Sequence, residues 1–326
     1  MRVLPALVLG YFAVVAGGPE GNPNDPALEN GMTGPALAEI DEALGLAMAP
    51  SAPSFEPKLD EARRIVTPSG RVVSLPNGCR AASRPYDLLI HFHGAPPVME
   101  SAFERSGIDG VLAVVNLGLG SGKYETAFQA PGSYDVFVAT LAQVVKQLCP
   151  GSASRPARVA LSGWSAGYGA VQRILERPAD AAKIDSVLLA DGLHARFEPG
   201  AERFRMVFGP QMAPFAAFAD EAVLGRRLFA VTHSSIATPY ASTTETADYL
   251  LSLEGMKRKS EGVAGPRPGM TLLSSSHSGG FHVLGYDGMN EAAHCDHLHG
   301  FGDILMPYLR ERWSMPQQAG ERTASL

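Results

Sequence analysis

The sequence predicts an α/β domain whose central sheet is mostly parallel and covered by helices on both faces. Three observations carry this. Short apolar runs alternate along the chain with segments whose apolar residues recur at helical spacing, the pattern of strand–helix units. Runs such as "YDLLIHFHG" (86–94) and "GVLAVVNLG" (110–118) are continuously apolar, as strands buried on both faces must be. A chain of 326 residues, 45% hydrophobic and 18% charged, is long and apolar enough to build one large core.

Taken in order, "RIVTPSGRVVSLP" (64–76) holds two short β-rich runs around a Pro-Ser-Gly turn, a hairpin signal. Two buried strands follow, the runs at 86–94 and 110–118. "YDVFVATLAQVVKQLC" (134–149) has helical spacing, and "RVALSG" (158–163) is a strand. "AVQRILER" (170–177) is helical up to Pro178, whose ring cannot continue a helix already under way. "KIDSVLLADG" (183–192) and "LFAVTHS" (228–234) are strands, separated by the helix "FAAFADEAVLGRR" (215–227). "STTETADYLLSL" (242–253) is a helix, "MTLLSSSH" and "FHVLGY" are strands, and "DHLHGFGDILMPYLRERW" (296–313) is a terminal amphipathic helix capped by Asp296. This places one α/β domain over about residues 56–315.

The ends read differently. "MRVLPALVLGYFAVVAGG" (1–18) has a short positive start, an apolar run and small residues at a cleavage position, as an export signal does. Its apolar run is too short for a stable membrane span. Residues 19–55 are expected to be a Gly/Pro/Ala-rich linker, and residues 316–326 a disordered, frayed tail. The expected location is therefore secreted or periplasmic. A net charge of −6 with no long basic run argues against a nucleic-acid partner. Of the three cysteines, Cys79 and Cys149 are the expected pair in an oxidising compartment, because Cys295 sits among histidines.

The chemistry centres on "ARVALSGWSAGYGAVQRIL" (157–175), where Ser165 stands between a strand and a helix, bracketed by Gly163 and Gly167. A serine on such a sharp turn presents its hydroxyl above the carboxyl edge of the sheet. The backbone N–H of Ala166, at the helix start, then faces the carbonyl under attack and stabilises its developing negative charge.

In "HFHG" (91–94), "GWSAG" (163–167), "LLADGLH" (188–194) and a late histidine before the last helix, the chain resembles the α/β-hydrolase-fold serine hydrolases, in their secreted bacterial esterase or lipase-like branch. The resemblance covers residues 64–313 and includes the order Ser, Asp, His. It implies a Ser-His-Asp triad, an acyl-enzyme intermediate, cleavage of carboxylic esters and no cofactor or metal. By the His-Gly turn it also implies Ala95 as a second oxyanion donor beside Ala166, although a single Gly stands where the family carries a glycine run. His93 is then a buttress of that turn.

Two residues compete for the acid. Asp191 closes an apolar run at the sheet's carboxyl edge, whereas Glu245 lies well past the end of the next strand; the reading favours Asp191. For the base, "EAAHCDHLHG" (291–300) offers His294 in the loop and His297 and His299 on the first turn of the terminal helix, with His294 favoured. Two readings from other classes stand beside this one. His294, His297 and His299 are residue types that bind zinc, which admits a metal-dependent hydrolase. A secreted binding protein that keeps the fold without activity is the other. "GLGSGKY" (118–124) departs from a phosphate-binding loop and is read as a mobile loop whose Lys123 and Tyr124 touch substrate. The apolar, aromatic segment 196–215 is the expected cap over a pocket for a small-molecule or lipid-like ester.

Overall fold

The computed structural model describes residues 63–66, 71–82 and 85–315. The export-signal run, the linker and the tail expected above lie outside them. Ten strands make one sheet: β1 (Arg63–Val66), β2 (Val72–Leu75), β3 (Asp87–Phe92), β4 (Val111–Val115), β5 (Arg158–Trp164), β6 (Ser186–Ala190), β7 (Leu228–His233), β8 (Lys259–Ala264), β9 (Thr271–Ser278) and β10 (Phe281–Tyr286). Their spatial order is β1-β2-β4-β3-β5-β6-β7-β10-β9-β8. The six strands from β4 to β10 in that order are parallel; β1–β2 and β8–β9 extend the sheet as antiparallel edges.

The helices are α1 (Pro96–Ser106), α2 (Ser121–Ala127), α3 (Ser133–Leu148), α4 (Tyr168–Leu175), α5 (Pro178–Ala181), α6 (Gly209–Val223), α7 (Thr243–Leu253), α8 (Glu291–His299), α9 (Phe301–Ile304) and α10 (Met306–Ser314). They cover both faces, which explains the continuous apolar runs. In β3, Leu88, Ile90 and Phe92 enter one core with Phe137 of α3 and Val171 of α4. Leu89 enters the other with Met99 and Phe103 of α1, Phe301 of α9 and Leu309 of α10. β6 divides the same way, Val187 and Leu189 against Leu188 and Ala190. This is an α/β-hydrolase fold. Cys79 and Cys149 form a disulfide that ties the turn after β2 to the end of α3, and Cys295 is free.

The structure departs from the sequence reading in several elements. Of residues 118–124, read as a mobile loop, those from Ser121 on belong to α2, and Tyr124 is fully buried in it. α1 begins on Pro96-Pro97, a pair that looks like a breaker but suits a helix start, where the missing N–H has no partner to lose. α6 starts at Gly209 with Pro210 in its first turn, ahead of the expected 215. The terminal helix is three helices, broken at Gly300 and at Leu305, where Pro307 enters the first turn of α10.

Register sets the site. Phe92 pairs with Gly163, Trp164 with Ala190 and Ala190 with Thr232, so the chain leaves β3, β5, β6 and β7 side by side at one sheet edge.

Candidate active site

Only four non-glycine residues among those described have positive φ, and three stand where the chain leaves β3, β5 and β6: His93 (67°), Ser165 (49°) and Asp191 (41°). Each holds a left-handed conformation costing about 1–2 kcal/mol in an L-residue, a cost that collects at sites where geometry matters more than stability. Ser165 opens a single tight turn, Ser165–Gly167, between β5 and α4. Close packing requires its glycine neighbours. A Cβ on Gly167 would lie 2.1 Å from the Phe92 carbonyl oxygen, and one on Gly192 would lie 2.7 Å from the Ser165 backbone N.

Asp191 is buried, and each carboxylate oxygen has partners. Oδ1 accepts the Ser234 N–H at 2.8 Å and the Thr243 hydroxyl at 2.7 Å; Oδ2 lies 2.7 Å from His294 Nδ1. Its own N–H donates to Thr232. Burial pushes this carboxyl up, but the hydrogen bond to His294, the neighbouring His297 and the Thr243 hydroxyl outweigh it and hold the group well below the usual carboxylate range. Asp191 is therefore ionised and accepts only, so His294 Nδ1 carries the proton between them.

His294 is on α8, not in the loop expected before the terminal helix. The helix starts at Glu291 because Asn290, rather than Asp296, caps it, its Oδ1 accepting the Ala293 N–H at 2.9 Å. The other two histidines of that stretch do other things. His297 is buried with Nδ1 2.7 Å from Thr232 Oγ1, and His299 is exposed. Among the described residues no group of three or more His, Cys, Asp or Glu is arranged to hold a metal ion, which removes the basis for the metal reading of His294, His297 and His299. Glu245 is engaged elsewhere: it completes the capping box of α7 with Ser242 and pairs with Arg205 at 2.7 Å.

Ala95 stands at the amino end of α1, just past the carboxyl end of β3, and Ala166 follows Ser165 in the tight turn. His93, between β3 and Ala95, has Nδ1 2.9 Å from the Tyr124 hydroxyl, which also accepts the Leu117 N–H at 3.0 Å. Tyr124 is thus a buried brace, not a substrate contact. Sequence reasoning passed over Trp164, whose indole stacks on both His93 and His294, and the two donors that fix Asp191, Ser234 and Thr243. Trp164 stood in the quoted motif; a main-chain N–H and a hydroxyl far along the chain leave no pattern to find.

Several buried or half-buried histidines are held neutral. Burial pushes His91 down to about 3 and His93, His194 and His233 to about 4, with Coulombic repulsion from His294 adding to the effect on His93 and from Arg258 on His233. An unfolded histidine titrates near 6.5. Below that pH the unfolded chain binds protons that the folded chain refuses, so their stabilising contribution is complete above about pH 6.5 and is lost as pH falls toward 4. Each such group removes up to about 1.4 kcal/mol per pH unit in that window. The expected result is a melting temperature that falls steeply from pH 7 to pH 5 in calorimetry; a flat profile would contradict the neutral assignment.

Neither a family model nor a curated relative matches the chain. Among solved structures it is similar to an acetyl xylan esterase from Aspergillus awamori, with 13% identity over 74% of this chain and 99% of that one and a TM-score of 0.39. It is also similar to an ester hydrolase from the metagenome of Lake Arreo in complex with a bipyridine phosphonate derivative, with 13% identity, 85% and 89% coverage and a TM-score of 0.43. A third is an arylesterase, with 13% identity, 85% and 93% coverage and a TM-score of 0.39.

Proposed function

We propose that the chain hydrolyses carboxylic esters, with Ser165 as nucleophile, His294 as base and Asp191 as the acid that orients it. The observation that carries the reading is the 2.7 Å pairing of His294 Nδ1 with a buried, ionised Asp191, on the sheet edge where the strained turn of Ser165 emerges. In the first step His294 Nε2 takes the Ser165 hydroxyl proton as Oγ bonds to the ester carbonyl carbon. The N–H groups of Ala95 and Ala166 receive the oxyanion, and the alcohol leaves with the proton from His294. In the second step His294 takes a proton from water, hydroxide attacks the acyl carbon, and the acid is released with Ser165 restored. Asp191 stabilises the imidazolium each time it forms.

A small-molecule or lipid-like ester is the proposed substrate. Phe204 and Met206 are exposed on the excursion between β6 and α6, which leaves the sheet at the same edge as Ser165. We further propose an exported protein, which the Cys79–Cys149 disulfide favours, since such bonds persist in oxidising compartments. Among the described residues no helix is long and apolar enough to cross a membrane.

The test is a fluorophosphonate probe followed by peptide mapping, together with p-nitrophenyl esters of graded acyl length. Stoichiometric labelling on Ser165 with ester turnover is expected. An unlabelled folded protein would leave a binding role on the same fold. Activity confined to acetyl esters would count against an acyl-chain site.

A further inference from the structure

Trp164 is the last residue of β5 and the immediate neighbour of Ser165. Its indole stacks on two imidazoles. His93 stacks on it with ring centroids 5.1 Å apart and planes 8° from parallel; His294 stacks on it at 4.7 Å and 29°. The indole N–H also donates to the His294 carbonyl oxygen at 3.0 Å. One side chain therefore holds both the ring and the backbone of His294. The carbonyl has a second lone pair for this bond, so the helix need not give up its own.

The other imidazole of the stack is itself held. His93 is clamped at Nδ1 by Tyr124, itself fully buried in α2, and so presents a fixed surface to the indole. Burial, with repulsion from His294, pushes His93 down to about 4, so that ring is neutral while His294 cycles. The titratable groups that act electrostatically on His294 are Asp191 from the strand end after β6, His93 after β3, His194 on the same excursion as Asp191, and His297 on α8. Asp191 fixes the ring through one nitrogen only, which leaves rotation about that hydrogen bond open. A stacked face removes that freedom, and an indole face also attracts the imidazolium that forms in each step.

We propose that Trp164 is the positioning residue of this site: its ring face and its N–H together hold the His294 imidazole in the plane from which Nε2 meets Ser165. The proposal rests on the reading of His294 as the base of a serine hydrolase. It adds a structural reason for the tryptophan preceding the nucleophile, which otherwise has no part in the chemistry.

Two variants test it, Trp164→Phe, which keeps a stacking face and loses the N–H, and Trp164→Leu, which loses both. Fluorophosphonate attack measures the step directly, because the Ser165 Oγ–P bond forms as fluoride leaves and the hydroxyl proton passes to His294. The end point of labelling counts folded sites and the rate reports positioning. Full end points are expected for both variants, with rates about three- to tenfold lower for Phe and about 30- to 100-fold lower for Leu. kcat for p-nitrophenyl acetate should fall in parallel at unchanged KM. A wild-type rate in the Leu variant overturns the proposal, as does a loss confined to KM. If the Leu variant does not fold, the Phe variant decides, and a wild-type labelling rate there overturns it. Absence of labelling in the unmodified protein would instead remove the serine-hydrolase reading itself.

Discussion

On the proposed mechanism, Ser165→Ala is expected to reduce kcat for ester hydrolysis by about 10⁶-fold and to leave the fold intact. The magnitude follows from the way these groups act. In that mechanism His294 and Asp191 lower the barrier only by moving the Ser165 proton and stabilising the charge that results, so without the hydroxyl they have nothing to act on. What remains is oxyanion stabilisation and substrate binding, a small residue of the whole. Stability should be nearly unaffected. Alanine meets the same φ of 49° that serine endures, and neither side chain fills a core position, since Ser165 is only partly buried. The expected cost is about 0.5 kcal/mol or less. Steady-state hydrolysis of p-nitrophenyl acetate beside a thermal melt makes the measurement. A variant with residual activity above about 1% and a normal melt would mean another nucleophile.

Much of this candidate site was legible in the chain because strands and their ends write themselves clearly. An apolar run that closes on Gly-x-Ser-x-Gly, or on Asp191-Gly192, places its last polar side chain at the sheet edge once the run is known to be a parallel strand. The parallel pairing of β3 with β5 and of β5 with β6 then brings those strand ends together. His294 was legible as a residue type and a position along the chain, but not as part of a helix. Asn290 and Asp296 are equally good caps by composition, and α8 has few apolar residues to show a period; only the capping bond from Ala293 decides between them.

Other parts carried no local signal. β8, "KSEGVA", is exposed along nearly its whole length, so it has neither an apolar run nor an alternation, and it is a strand because β9 pairs with it. α2 reads as a glycine-rich loop because what stabilises it is tertiary: Tyr124 buries its ring and bonds His93, from a distant strand end. The choice between His294 and His297 was likewise tertiary. Thr232 of β7 lies beside one and Asp191 beside the other, and both partners are far away in sequence.

Asp191→Asn is expected to lower kcat by about 10⁴-fold, and the pattern of hydrogen bonds says why so small a change should cost so much. Oδ1 of Asp191 faces two donors, the Ser234 N–H and the Thr243 hydroxyl. The Thr243 hydroxyl can turn, but the Ser234 N–H is fixed in the backbone and always donates. An asparagine must therefore keep its carbonyl oxygen on that side and turn its NH₂ toward His294. An NH₂ can only donate, so it selects the imidazole tautomer with a lone pair on Nδ1 and the proton on Nε2. Nε2 would then meet the Ser165 hydroxyl already protonated and unable to accept. The substitution reverses the base rather than merely loosening it. Asp191→Ala imposes no tautomer and should retain more activity per folded molecule than the Asn variant, although it leaves the Ser234 N–H buried without an acceptor and folds less stably. Measuring kcat and thermal stability for both variants checks the argument. An Asn variant within tenfold of the unmodified protein would show that this carboxylate does not set the proton on His294.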